Sequence, residues 1–347
     1  MAFAIEPPID PMLARAVQEI PEGEGILYEP KWDGFRTLVL RDGDRIHLQS
    51  RNGQPLERYF PELQAPLAAA LPDRSVVDGE LVVAGRQALD FDALLLRIHP
   101  AASRIEKLSR ETPASYVAFD LLAAEGRDLR RRPFRERRRL LERSLHTGPR
   151  VLLTPQTGDP ALAARWFERF EGAGLDGVIA KRADLPYVPG ERVMWKIKHE
   201  RTAECVVGGY RRAARGDGVG SLLLGLYDDE GVLHYVGHTS SFGAKERREL
   251  LHELEPLRGG PSFGEGRTPG GPSRWSRGRS LDWIPVRPER VCEVRFDHLQ
   301  GDRFRHAARF LRWRPDRDPA SCTFDQLAPP RPFRLAELER EAQAPGP

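Results

Sequence analysis

The stretch YEPKWDGFR, residues 28–36, puts Lys31, Asp33, Gly34 and Arg36 within six positions, at the end of the strand-like run GILYEPK. Its lysine stands out. The chain has six lysines, at 31, 107, 181, 196, 198 and 245, and 48 arginines make up the rest of its 54 basic residues. An arginine-rich background of this kind fits a GC-rich coding sequence. A lysine kept against it invites a chemical explanation, because an amine can lose its proton and attack an electrophile whereas a guanidinium stays charged. Three further lysines fall in two short segments, DGVIAKR (176–182) and WKIKHE (195–200).

Working outward, 347 residues suffice for two domains, each with its own core. A hydrophobic content of 40% with 30% charged residues describes a globular chain rather than a disordered one. No run approaches the roughly 18 apolar residues that span a bilayer, and the N-terminus shows no basic-then-apolar signal. Cys205, Cys292 and Cys322 are far apart and form no CxxC pair, which argues against a zinc ribbon or a disulfide framework and for a reducing cytoplasm. A net charge of +3 is too small to identify a nucleic-acid partner alone.

The first half reads as strands joined by tight turns, with helices between: GILYEPK, RTLVLRDGDRIHLQS, SVVDGELVVAGRQALDF and ASYVAFDLLAAEGRDL. FRERRRLLERSLH (134–146) and PALAARWFERFEGAG (160–174) read as helices, the second opened by Asp159-Pro160 and closed by glycines. Beyond residue 200 the texture becomes that of a small β-barrel, with AECVVGGYRR, GSLLLGLYDDEGVLHYVGHTS and RVCEVRFDHLQ as strands and GAKERRELLHELEPL as an inserted helix. The Pro/Gly/Ser-rich run at 258–276 reads as a mobile loop, and 329–347 as a proline-led helical tail. The expected domains are 1–198, 199–328 and the tail 329–347.

Alternation along RVMWKIK puts Met194, Lys196 and Lys198 on one face, where two ammonium groups would need an anion between them; the plain alternative is an exposed edge guarded by lysine. VVDGELVV holds Asp78 and Glu80 inside valine-rich arms, either as carboxylates meeting a cation or hydroxyl, or, the reading favoured on the segment alone, as an Asp-Gly turn with Glu80 at its rim. Phe119 in FDLL can stack on a base or lie in the core. Asp176 supplies another oxygen ligand, but strict alternation sets it opposite Lys181, so a twist or bulge is needed for both to face one site.

The order of these pieces is specific. KWDGFR (31–36), SRNG (50–53), DGE (78–80), FDLL (119–122), DGVIAK (176–181) and WKIK (195–198), with FRHAARFLRWRPDRDPASCTFDQL (304–327) and PPIDPMLA (7–14), resemble the motifs of bacterial ATP-dependent DNA ligases. The resemblance spans nearly the whole chain and is nearest to stand-alone ligase C and the ligase domain of ligase D. One departure is Asp176, where many members carry Glu.

The resemblance implies an α+β fold: a nucleotidyltransferase (adenylation) domain of antiparallel sheets with helices, followed by a C-terminal OB-fold barrel. It makes Lys31 the nucleophile that takes AMP from ATP, with Lys196 and Lys198 holding the α-phosphate. Glu29 lies along the adenine edge, Phe119 stacks on the base, and Arg36 and Arg51 bind the sugar or a nick's 5′-phosphate. Arg192 belongs to the nucleotide set, and Arg312 and Arg314 close over the pyrophosphate. Glu80 binds the ribose hydroxyls or, with Asp176, a divalent metal, Mg²⁺ or Mn²⁺, and the segment near His199 is a hinge. The implied partner is nicked double-stranded DNA, bound by a monomer that repair proteins recruit, in the cytoplasm at the bacterial nucleoid. LRRRPFRERRRLLER offers arginines either to DNA or to solvent, with Phe134, Leu140 and Leu141 inward. RNA ligases and GTP-using capping enzymes are rivals within the superfamily. A non-catalytic OB-fold nucleic-acid-binding protein is a rival outside it.

Overall fold

A computed structural model describes residues 3–85, 88–170, 175–199, 201–214, 217–264, 269, 282–297 and 299–327. The chain divides into two compact units, with the boundary between His199 and Glu200. The expected tail at 329–347 and most of the loop at 258–276 lie outside the described residues.

The first unit contains, in chain order, β1 (Leu13–Ala16), β2 (Ile26–Lys31), β3 (Phe35–Asp42), β4 (Arg45–Ser50), α1 (Gln64–Ala70), β5 (Ser75–Val83), α2 (Phe91–Leu96), α3 (Ala102–Glu111), β6 (Ala114–Ala124), β7 (Arg127–Asp128), α4 (Phe134–Ser144), β8 (Val151–Leu153), α5 (Pro160–Phe170), β9 (Gly177–Arg182) and β10 (Arg192–Lys198). They build two sheets. One runs β1-β10-β9-β2; the other runs β4-β3-β5-β6-β7, with β8 beside β6. The antiparallel expectation needs one correction: β1 pairs with β10, and β8 with β6, in parallel.

Turn chemistry explains the hairpins. β3 and β4 meet at Asp42-Gly43-Asp44 with Gly43 at φ 61°, and β6 and β7 at Glu125 and Gly126, with φ of 51° and 78°. Two consecutive positive φ values suit the right-handed twist of a hairpin. VVDGELVV, by contrast, is not a turn. It runs unbroken through β5, all but one of whose nine residues are buried. Asp-Gly misleads here because Gly79 serves packing: a Cβ there would lie 2.4 Å from the Tyr116 ring.

Helices α4 and α5 match the expected helical segments, except that 171–174 falls outside the described residues. On α4, Phe134 and Leu141 are buried and Leu140 partly so, but Arg137 and Arg138 are buried too, which corrects the picture of arginines facing only outward. Arg137 makes a bidentate pair with buried Asp120 (2.8 and 2.9 Å). A planar guanidinium fork suits a paired interior site of this kind.

The second unit holds β11 (Arg201–Arg212), β12 (Val219–Tyr227), β13 (Leu233–Thr239), α6 (Ala244–Leu254), β14 (Ile284–Pro285), β15 (Val291–Phe296), β16 (Leu299–Gln300), β17 (Arg303–Phe304) and β18 (Arg309–Trp313). The sheet order is β13-β12-β11-β15-β18, with β14 on β11. Its two outer strands meet where Ala308 N donates to His238 O (2.9 Å) and Phe310 N to Thr239 Oγ1 (3.1 Å). The sheet thus curls on itself in the manner of an OB-type barrel. Cys205 and Cys292 are register partners in its core, and they and Cys322 are free thiols whose pKa values burial pushes up.

Candidate active site

In the first unit, residues from both sheets line one cavity of about 170 Å³. β2 brings Glu29 and Lys31, β3 Arg36, β5 Glu80, β6 Phe119, β9 Lys181, and β10 Arg192 and Lys196; Arg51 follows β4. The alternation read in RVMWKIK holds at the cavity, which Met194 and Lys196 line while Ile197 packs with Tyr28 and Val178 on the other side.

Lys31 ends β2, and its ammonium donates to Asp176. Asp176 N in turn donates to the Lys31 carbonyl (2.8 Å), so main chain and side chain hold the same pair together. Lys198 Nζ lies 3.4 Å from the same carboxylate. Asp176 and Lys181 therefore serve one region despite their five-residue spacing. The break in alternation is at Gly177, with φ 129°, a conformation side chains resist. Its missing Cβ leaves room for the Ile197 carbonyl, which would otherwise sit 2.0 Å away.

Lys181 has a definite place that the spacing did not reveal. Its ammonium is 2.7 Å from Glu29 Oε2, and both residues are buried. Gln156 Nε2 donates to the other Glu29 oxygen (2.9 Å), and Arg138 lies 3.6 Å from it. Lys181 Nζ also stands 4.8 Å from the Phe119 ring centroid, and the Arg36 guanidinium lies over that ring at 5.0 Å. Phe119 is thus an aromatic ring at the cavity edge with two cations near it.

Arg36 donates twice to Asp78, Nε at 2.8 Å and Nη2 at 2.6 Å, and Asp78 raises the already high pKa of the guanidinium despite the opposing effect of burial. Burial pushes the Glu80 carboxyl up to about 8, against the pull of Lys31 and Arg36. The pKa of Lys196 is lowered, first by burial and then by the positive charges of Lys198, Lys31, Arg192 and Arg51. The cavity is thus rich in cations and disposed to receive an anion such as a polyphosphate. Arg51 and Arg192 are the exposed cations of its rim, and Arg192 donates to the Ala14 carbonyl (3.3 Å).

Of the expected site residues, Glu29, Lys31, Arg36, Arg51, Glu80, Phe119, Arg192 and Lys196 line the cavity; Asp176 joins through Lys31, and Lys198 through Asp176. Arg312 and Arg314 belong to the second unit. There Arg312 pairs with Glu293 (2.7 Å), and Arg314 with Glu204 and Asp316. Among the described residues no group of three or more His, Cys, Asp or Glu is placed to hold a metal ion.

Residues 11–198 match the family described as ATP dependent DNA ligase domain, and residues 215–317 the ATP dependent DNA ligase C terminal region. The chain belongs to the ATP-dependent DNA ligases. This ligase is 52% identical to DNA ligase C1 of Mycolicibacterium smegmatis over 98% of its own length and 100% of that protein's. It is 34% identical to the multifunctional non-homologous end joining DNA repair protein LigD of Mycobacterium tuberculosis, over 84% of this chain and 36% of that one. A solved Lig E DNA ligase shares the fold with a TM-score of 0.55, at 20% identity over 88% of this ligase and 100% of that chain. No helix among the described residues is long and apolar enough to cross a membrane.

Proposed function

We propose that this ATP-dependent DNA ligase seals 3′-hydroxyl/5′-phosphate nicks with Lys31 as the covalent nucleophile. The observation that carries the assignment is the cavity itself: a lysine amine held by Asp176 at the wall, with Lys196, Arg36 and Glu80 around it and Phe119 at its edge. Lys31 Nζ attacks the α-phosphorus of ATP, the bond to the β,γ-diphosphate breaks, and pyrophosphate leaves. Asp176 Oδ2, already accepting from Nζ, is in place to take the ammonium proton and free the lone pair for attack; the second proton, shed as the P–N bond forms, leaves to solvent or to the departing pyrophosphate. Lys196 and Lys198 offset the charge that builds on the phosphate oxygens. The AMP then passes to the 5′-phosphate of the nick, and the 3′-hydroxyl displaces it to close the strand.

Phe119 receives the adenine face and Glu29 its edge, while Arg36 and Arg51 take the sugar or the nick phosphate, with Arg192 on the rim. Glu80 would hold Mg²⁺ or Mn²⁺ together with phosphate oxygens, and Asp176 would join as a second oxygen ligand after Lys31 has been charged and the proton passed on. A bound divalent ion supplies Lewis-acid stabilisation of the phosphoryl group. In the second unit, Arg312 and Arg314 orient the pyrophosphate when the protein closes about the segment at His199. We assign the ligase to DNA repair on its likeness to the end-joining relative, and take it to act as a monomer that repair proteins recruit. Incubation with labelled ATP and a divalent metal should give an acid-labile adenylated band. Labelling of Lys31→Arg at the parent level would overturn the nucleophile assignment.

A further inference from the structure

Behind the cavity wall lies a buried polar group that the proposed chemistry leaves unused. Asp78, in the middle of β5, is fully buried and accepts three hydrogen bonds. Two come from Arg36; the third comes from the hydroxyl of Tyr187 (2.6 Å). Tyr187 is itself buried and sits in the connection from β9 to β10, on the four-stranded sheet, whereas Asp78 and Arg36 belong to the other sheet. Its oxygen also accepts from Met12 N (3.0 Å), directly ahead of β1. A single phenol oxygen thus ties together the lead-in segment and the two sheets that form the cavity.

The geometry at Asp78 has a consequence for Arg36. A bidentate pair requires the carboxylate plane to match the guanidinium fork. A carboxylate with a further fixed partner on one oxygen cannot turn about its Cβ–Cγ bond without breaking a hydrogen bond, and in a dry interior an unmade bond of that kind is expensive. Burial and the neighbouring Asp78 charge raise the phenol pKa well above its usual value, so it stays a donor across the working pH range.

We propose that Tyr187 is a positioning residue for nucleotide binding. Its hydroxyl fixes Asp78, Asp78 fixes the Arg36 guanidinium over Phe119, and that orientation receives the sugar of ATP. The inference rests on reading the cavity as the ATP site. Tyr187→Phe keeps the ring, which lies 5.8 Å from the Arg137 guanidinium, and removes only the hydroxyl.

The test is a cycle of Tyr187→Phe, Arg36→Gln and the double variant in the full-length protein, following self-adenylation against ATP concentration. Tyr187→Phe should raise the KM for ATP about 10-fold, the loss of one hydrogen bond to a charged group. The rate at saturating ATP should stay within about twofold of the parent, as expected for lost binding rather than lost chemistry. In the Arg36→Gln background the same change should have no further effect on KM, since residues acting through one another are not additive. Additive effects, an unchanged KM, or a fall confined to the saturating rate would each overturn the proposal. If Tyr187→Phe does not fold, Asp78→Asn provides the second route, with the same KM rise and the same dependence on Arg36 expected. A parent protein that takes no label at all would count against Lys31 charging instead. The comparison then moves to equilibrium dialysis of ATP, where an unchanged affinity in Tyr187→Phe overturns the positioning role.

Discussion

Lys181 and Glu29 form an ion pair across adjacent strands with each side chain only 3% exposed. A carboxylate this deep at the wall of the cavity is tolerable only because Lys181, Gln156 and Arg138 surround it. The pair makes Glu29 an acceptor of fixed direction, aimed by partners beneath the cavity instead of by solvent.

Removing the cation should therefore do more than weaken a contact. Lys181→Met leaves Glu29 charged and buried, and should destabilise the protein by about 3 kcal/mol, the lower part of the range for breaking a buried pair, because Gln156 and Arg138 remain. Chemical denaturation measures it. A loss indistinguishable from zero would show that Glu29 finds water once the lysine is gone.

Glu80 gives the protein a pH dependence with a definite sign. Its folded-state pKa of about 8 lies above the ordinary carboxyl value of 4.5, so between those values the folded chain holds a proton that the unfolded chain has released. The stability this group contributes is present in full below the unfolded pKa and fades as pH rises through the folded one. Melting curves over that window should slope downward with pH and flatten in Glu80→Gln. Affinity for the metal–nucleotide complex should rise over the same window, because the ionised carboxylate is the form that binds cations. Identical slopes in both proteins would contradict the assignment.

Asp176 is the counter-ion that Lys31 and Lys198 share. Asp176→Asn keeps the shape but loses both the charge and the proton acceptor, and should slow single-turnover adenylation about 100-fold, the scale of a lost general base. Asp176→Glu, which keeps the charge, should retain most of the rate. Quench-flow with labelled ATP distinguishes them, and charging by the Asn variant at the parent rate would remove Asp176 from the mechanism.

Gly177→Ala should be costly although it adds one methyl group. At φ 129° the new Cβ would meet the Ile197 carbonyl. Strain at such positions is about 1–3 kcal/mol, and relieving it means moving β9 away from β10, separating Asp176 from Lys198. Thermal melting and adenylation should fall together. A stable variant that does not charge would place the strain in the site alone.

What could be read from the sequence followed from how local the causes are. The β3–β4 and β6–β7 hairpins, α4, α5 and α6 have short-range causes: turn glycines, a proline at a helix start, apolar spacing. Most of the cavity lining was legible for another reason, since the ordered motifs that resemble a ligase family carry Lys31, Glu80, Phe119 and Lys196. Helices α1 and α2 are only seven and six residues long, and α1 is bracketed by Pro61 and Pro72 with a third proline inside it. Helix α3, ten residues long, has no side-chain cap at its start and a single buried residue, Ile105, to mark an apolar face. Asp78-Gly79 looked like a turn because the demand on Gly79 comes from Tyr116, 37 residues away in β6. Lys181, Gln156 and Tyr187 were invisible as a set, since what joins them to the site is contact with Glu29 and Asp78, which lie far from them in sequence. Arg137 and Arg138 read as surface charge because their partners, Asp120 and Thr154, come from other elements.

β1 is only four residues long, yet it runs parallel along β10, with Leu13 N donating to Glu191 O and Val17 N to Lys196 O. It covers the strand that carries Lys196 and Lys198, and Leu13 and Ala14 form part of the cavity wall. A shortened protein lacking residues up to Ala16 would leave a row of backbone donors and acceptors on β10 open to any passing strand. Such a form would be expected to fail first by sticking to its own kind, before any question of catalysis arose, and fusion partners are better joined well ahead of Leu13.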